Sequence, residues 1–250
     1  MSKRQIHSLI SIILVFVIWE IIALFVANRA VFPHISDVFV STMSLLKDPY
    51  FYRSFFITSL TGLSAFLLSF LIAFGALYML YIFPVLKTYV QTLASVVKSL
   101  PVASVTILFL IWIKTSSLPF YVAFIMSLPI VLETVCLAEP SFYNQNVESA
   151  IVLGVGKTRI FFDICLFNIR YLLLSALRSA LPVAFKSAIA AEVIALVRNS
   201  LGNIMYESKI FFETDRLIAV TLVVVIAVKI YETILATILK KLCYIKKNER

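Results

Sequence analysis

The sequence predicts an all-α integral membrane protein that crosses a bilayer with six transmembrane helices, and three observations carry this. First, 62% of the 250 residues are hydrophobic and only 14% charged, with a mean hydropathy of +1.02. One soluble core cannot hide that much apolar surface. Second, the runs of Leu, Ile, Val and Phe lack strict alternation and the chain holds only 5 glycines, which favours helices over a barrel of alternating strands. Third, the basic residues gather at the ends of the apolar runs, as topology requires, and form no stripe interleaved with aromatics. The net charge of +9 therefore does not point to nucleic acid.

Lys3 and Arg4 precede an apolar run over residues 6–27, too long for a signal peptide and without a small-x-small cleavage site, so it reads as a first retained span. Glu20 within it is a polar group expected to pack against a neighbouring helix. Residues 28–55 are mixed, with Pro33, Asp37, Asp48 and Pro49 as breakers. Between them Val38, Val40, Met43, Leu45 and Leu46 predict a short amphipathic helix at the outer surface.

Residues 56–81 form a second span, and Phe83, Pro84 and Lys87 an inner turn. A third span over 85–113 is broken at Lys98-Ser99-Leu100-Pro101, because proline leaves a carbonyl unpaired and kinks the helix. Residues 114–117 turn at the outer face. A fourth span over 118–138 contains Pro129 and stops at Glu139-Pro140. Arg170 marks the inner boundary of a fifth span over 171–196. Residues 199–215 connect at the outer face to a sixth span over 217–239, and five basic residues from Lys240 to Arg250 close the chain.

Between the fourth and fifth spans lies the one substantial polar interruption of the second half, residues 146–167. Asn146 is placed to cap a short helix, Glu148 sits in its first turn where the dipole favours a carboxylate, and Ser149 is positioned to answer the cap. Gly154 and Gly156 end that helix. Lys157, Thr158 and Arg159 open another, with Ile160, Phe161, Ile164 and Leu166 as its apolar stripe. Gly154-Val155-Gly156-Lys157-Thr158 is no phosphate-binding loop: it lacks a glycine at the required distance and follows no strand. The chain is not expected to be an enzyme, and no catalytic residue, metal ligand or cofactor is assigned. Cys136, Cys165 and Cys243 are isolated and lack metal spacing.

The loop resembles the cytoplasmic coupling loop of ATP-binding-cassette (ABC) importer permeases, which reads Glu-Ala-Ala, three residues, Gly, nine residues, Ile, one residue, Leu-Pro. Here the residues are Glu148-Ser149-Ala150, Gly154, Ile164 and Leu166, with Phe167 where the family has proline. Thr58-Ser59-Leu60, Ala65-Phe66-Leu67-Leu68, Leu177-Arg178, Ala191-Glu192, Ser200-Leu201-Gly202 and Thr214-Asp215 resemble further elements of nitrate/sulfonate/taurine-type permeases. Lys98-Ser99-Leu100-Pro101 resembles that family's Arg-x-[Ile/Leu]-Pro element.

The resemblance implies a type I importer fold in a single transmembrane domain over 1–250, with its core at 56–242. It implies two copies of the chain, two cytoplasmic ATP-binding subunits and an extracytoplasmic solute-binding protein. Val147, Glu148, Ser149, Ala150, Ile151 and Gly154 would couple to the ATPase, with apolar Val147, Ala150 and Ile151 supplying docking area. Six spans place both termini and the Glu148 loop on one side, and the basic residues of these short segments favour the cytoplasm. The location implied is the inner membrane of a bacterium, in a multi-pass arrangement.

Path candidates are Lys98, Pro101, Lys186 and Glu192. Lys186 lies about 22 Å into the fifth span, too deep for easy snorkelling. It either lends positive potential to the path of an anionic solute or pairs with a carboxylate such as Glu20. Glu192 is about 120° from Lys186 around the helix and is no natural partner for it. Arg178, about two turns in, can snorkel, and Lys229 with Glu232 can neutralise one another. The solute expected is an anion such as a sulfonate or nitrate, or a vitamin precursor. Two alternatives stay open: a stand-alone secondary transporter or channel, which predicts interrupted helices in both halves, and an energy-coupling scaffold that binds ATPases without a path of its own.

Overall fold

The computed structural model describes residues 3–26, 28–138, 142 and 145–248, so the expected stop at Glu139-Pro140 lies outside the described residues. All regular structure among them is helical. In order come α1 (Lys3–Val26), α2 (Ile35–Leu45), α3 (Pro49–Ile82), α4 (Leu86–Lys98), α5 (Val102–Phe109) and α6 (Leu118–Cys136). After these follow α7 (Gln145–Val152), α8 (Lys157–Ile160), a π turn (Phe161–Cys165), α9 (Leu166–Asn168), α10 (Arg170–Ala195), α11 (Leu201–Ile210) and α12 (Thr214–Asn248).

Four helices, α3, α6, α10 and α12, are long and apolar enough to cross a membrane, and α4 with α5 makes a fifth crossing if the pair is one broken span. Pro101, in an extended conformation with ψ of 132°, separates that pair, which turns by 88°. The expected kink is therefore a full break. In α1 the described apolar part, Ile13–Val26, is shorter than a complete crossing. The helix expected from residue 56 begins at Pro49, because Asp48 accepts the Tyr50 N–H at 2.9 Å as a cap and proline suits the first helical position. These two residues start a helix rather than break one.

The chain divides into two compact units. One takes the chain up to Ile57 together with Leu196–Ile226, around a core that includes Val38, Leu45, Phe51, Leu201, Ile204, Ala219 and Val220. Here Trp19 donates its indole N–H to the Pro33 carbonyl at 3.0 Å. Glu20 meets His34 Nδ1 at 2.7 Å and accepts the Ile35 N–H at 3.4 Å, so it serves the amino end of α2. Thr214 donates to the Ala30 carbonyl at 2.5 Å and Ser41 donates to Asp215, which ties the start of α12 to α2 and the turn before it.

The other unit takes Thr58–Ala195 and the chain from Ala227 onward. In it α10 packs on α6 and α5, and α6 also packs on α4. Ala176, Ala180, Ala184 and Ala188 recur every fourth residue on α10 and are fully buried, so small side chains let the backbones approach closely. Ser69 and Ser127 hydroxyls meet at 2.7 Å between α3 and α6.

At Gly62 an added Cβ would stand 3.1 Å from the Phe185 ring, which is itself stacked on Tyr231 at 5.6 Å. Gly62→Leu is therefore expected to cost about 1–3 kcal/mol through overpacking. Gly75 has open space, so Gly75→Ala is expected to gain up to about 1 kcal/mol of helix propensity. Thermal loss of monodispersity in detergent checks both; equal melting of the two variants would contradict this packing.

Candidate functional site: the elbow and the charged spans

The elbow between α6 and α10 is built by local chemistry at its turn. Glu148 lies in the first turn of α7, as expected. Asn146, however, lies inside α7 rather than at its cap, and Ser149 donates to the Gln145 carbonyl at 2.8 Å instead of answering a cap. At the carboxyl end the Val155 N–H reaches the Ala150 carbonyl at 3.0 Å and the Gly154 N–H reaches the Ile151 carbonyl at 3.0 Å. With Gly154 at φ of +75°, this is a Schellman stop, in which glycine takes a left-handed conformation without steric penalty.

The stop decides which side chains face out. Val147 and Ala150 are only 2% and 7% exposed and belong to the core, whereas Ile151, Val152 and Leu153 are 58%, 86% and 80% exposed. The expectation that Val147 and Ala150 supply docking area is therefore corrected: they hold the elbow in place, and the exposed apolar surface is the tip at Ile151, Val152 and Leu153. Val152 and Leu153 extend that tip beyond Ile151, because a glycine stop leaves the residues just before it at the end of the helix.

Aromatic contacts fix the other side of the elbow to the end of α3. Phe161 lies 5.0 Å from the Tyr78 ring, 5.4 Å from Tyr81 and 6.3 Å from Phe74, centroid to centroid. Tyr81 in turn meets Phe142 at 5.5 Å. Such pairs contribute about 0.5–1.5 kcal/mol each beyond area burial. The π turn shifts the buried stripe to Ile160, Phe161, Cys165 and Ile169. Burial also pushes the Cys165 thiol up from 9.0 to about 11.

Without the proline the chain still leaves the helix close by: Ile169, at φ −92° and ψ 2°, separates α9 from α10, while the Ile169 N–H reaches the Cys165 carbonyl at 3.1 Å and the Leu173 N–H reaches that of Ile169 at 3.1 Å across the join. The Arg170 guanidinium covers the Phe167 ring at 4.1 Å.

Charges within the spans cost roughly 2.5–3.5 kcal/mol each if they face lipid. Lys98 pairs with Glu133 at 2.6 Å, which gives it a carboxylate beside the break at Pro101. Glu232 is shared by Lys229 at 2.8 Å and Arg178 at 3.6 Å. Thr58 donates to Glu192 at 2.8 Å, and Glu192 is 1% exposed, so it points into the packing between α3 and α10. Lys186 is exposed and makes no ion pair among the described residues. Glu20, the carboxylate considered above, serves His34 and α2.

A helical chain with several helices long and apolar enough to cross a membrane, and an elbow packed between two of them, is a multi-pass membrane protein. The chain belongs to the family of binding-protein-dependent transport system inner membrane components, whose model matches residues 65–242. It is thus the permease component of an ABC transporter, of a class that is not enzymatic, and the helical architecture fits the type I permease fold. No curated protein and no solved structure matches it.

Proposed function

We propose that this chain is one of two identical subunits that form the path of an ATP-driven importer of the nitrate/sulfonate/taurine type. In this reading it spans the bacterial inner membrane six times, with α1 as the first span and both termini in the cytoplasm. A solute-binding protein delivers a small solute, an anion or a vitamin precursor, from the outer side. Two cytoplasmic ATPase subunits each grip one elbow.

The observation that supports this best is the exposed apolar tip Ile151-Val152-Leu153 beside Glu148, on an elbow clamped to α3 by Phe161. Three neighbouring apolar side chains outside the spans need a protein cleft, and fully covering each is worth about 1.5–3 kcal/mol. Glu148 adds a charge contact of about 1 kcal/mol or less where exposed. Closure of the ATPase pair on ATP would carry both elbows inward and open the path outward, and hydrolysis would reverse it. Lys98, Pro101 and Lys186 remain the path residues of this reading. Glu192 acts by fixing α10 against α3. The unbroken run of α10 through Pro182, against the break between α4 and α5, disfavours the secondary-transporter alternative, which needs interruptions in both halves.

A single accessible cysteine, Leu153→Cys with Cys243→Ser, tests the elbow. Cys136 and Cys165 are buried, and a thiol shifted to about 11 carries about a hundredfold less thiolate than one at 9.0, so neither competes for a maleimide. A membrane-impermeant maleimide is expected to label inverted vesicles but not intact cells, and bound ATPase subunits are expected to block the labelling. Labelling from outside intact cells would overturn the reading.

A further inference from the structure

We infer that the exposed face of α10 lines a water-filled path whose positive charge selects solutes carrying net negative charge. This rests on the permease reading above and narrows its solute to the anionic class. Tyr171, Ser175, Arg178, Ser179 and Lys186 are the exposed positions of α10 between its start and Lys186, and they fall on one stripe. That stripe lies opposite the alanines at 176, 180, 184 and 188, which are sealed in the core. From Tyr171 to Lys186 it runs about 22 Å, most of a bilayer core. Pro182 sits within it and cannot donate to the Arg178 carbonyl, so that oxygen needs water or another donor.

The charge on this face is not balanced. Glu232 is one carboxylate for two cations, Arg178 and Lys229. The other carboxylates described in this unit are committed or remote: Glu133 is on Lys98, Asp163 on Arg159, Glu192 is buried against Thr58, and Glu148 stands at the elbow. None is placed on Lys186. Lipid would not accept such a face. A dry contact between two copies would bring like charges together with no carboxylate between them. A hydrated gap between the copies satisfies both conditions, and its potential attracts anions and repels cations.

The test uses a solute-independent probe in the reconstituted transporter with its ATPase subunits. Ser179→Cys, in the Cys243→Ser background, is modified by sulfonatoethyl and trimethylammonioethyl methanethiosulfonates, similar in size and opposite in charge. With rates normalised to a free thiol, the anionic reagent is expected to react faster. Lys186→Gln is expected to lower the anion-to-cation ratio about tenfold, from one charge removed at about 10 Å in partly aqueous surroundings. Should Lys186→Gln fail to fold, 1 M salt must collapse the ratio in the Ser179→Cys protein instead.

Absence of reaction with either reagent would place the stripe in lipid or a dry contact and overturn the proposal. So would a ratio that neither Lys186→Gln nor salt alters. Failure of the permease reading is separable, because it shows as loss of ATPase copurification whatever the ratio.

Discussion

Gly154→Leu is expected to abolish solute uptake while the protein is still inserted and folded. A Cβ there meets no heavy atom within 4 Å, so the fault is in the backbone: φ of +75° costs a residue with a Cβ about 1–2 kcal/mol. The cheaper response is for the Schellman stop to open and α7 to run on. The next residues then wind by about 100° each and carry the tip off its axis. Val152 and Leu153 would leave the cleft they are proposed to fill, with a loss of about 3 kcal/mol or more, which is a hundredfold or greater weakening of docking.

Glu148→Arg should act in the same direction but less strongly, because Glu148 is exposed and a single exposed charge contact is worth about 1 kcal/mol or less. Gly154→Asn is the matched control, since asparagine tolerates the left-handed region and should keep most of the uptake. The measurement is ATPase copurification and uptake at equal expression. Wild-type uptake by Gly154→Leu would contradict the coupling role of the elbow.

The parts of this molecule legible in the sequence are those set by local pattern. Long apolar runs gave the helices α3, α6, α10 and α12 their places, and the glycine at 154 marked the end of α7. The four alanines on α10 at every fourth residue also carried a packing signal, visible once helix period and small-residue contacts are considered together. What the sequence hid depends on which faces meet in space. Val147 and Ala150 look like docking surface in a linear reading because nothing local says that Tyr78, Tyr81 and Phe161 fold the elbow back on α3. The π turn adds a residue to one turn and so moves the buried stripe to Cys165 and Ile169, which a fixed period of 3.6 cannot foresee. Charge partners 35 residues apart, such as Lys98 and Glu133, or far further apart, such as Arg178 and Glu232, are likewise tertiary facts.

Glu232→Leu is expected to be among the most damaging single changes outside the elbow, and its effect should fall on folding. Glu232 is the mostly buried member of its cluster, 12% exposed, and it answers both Lys229 and Arg178. Removing it leaves two cations against each other at the contact between α10 and α12. Breaking a fully buried pair costs about 3–5 kcal/mol; with both cations more than half exposed, about 2–3 kcal/mol is expected here. Single changes of the cations should be milder, because Lys229→Leu still leaves Arg178 on Glu232, and Arg178→Leu leaves Lys229. The double change Glu232→Leu with Lys229→Leu should therefore recover part of the loss by removing the repulsion, a coupling that additive effects would not produce. Yield of monodisperse protein and thermal stability in detergent read all four variants. A Glu232→Leu protein as stable as the parent would mean that water already screens the cluster completely, so that the carboxylate serves the path rather than the fold.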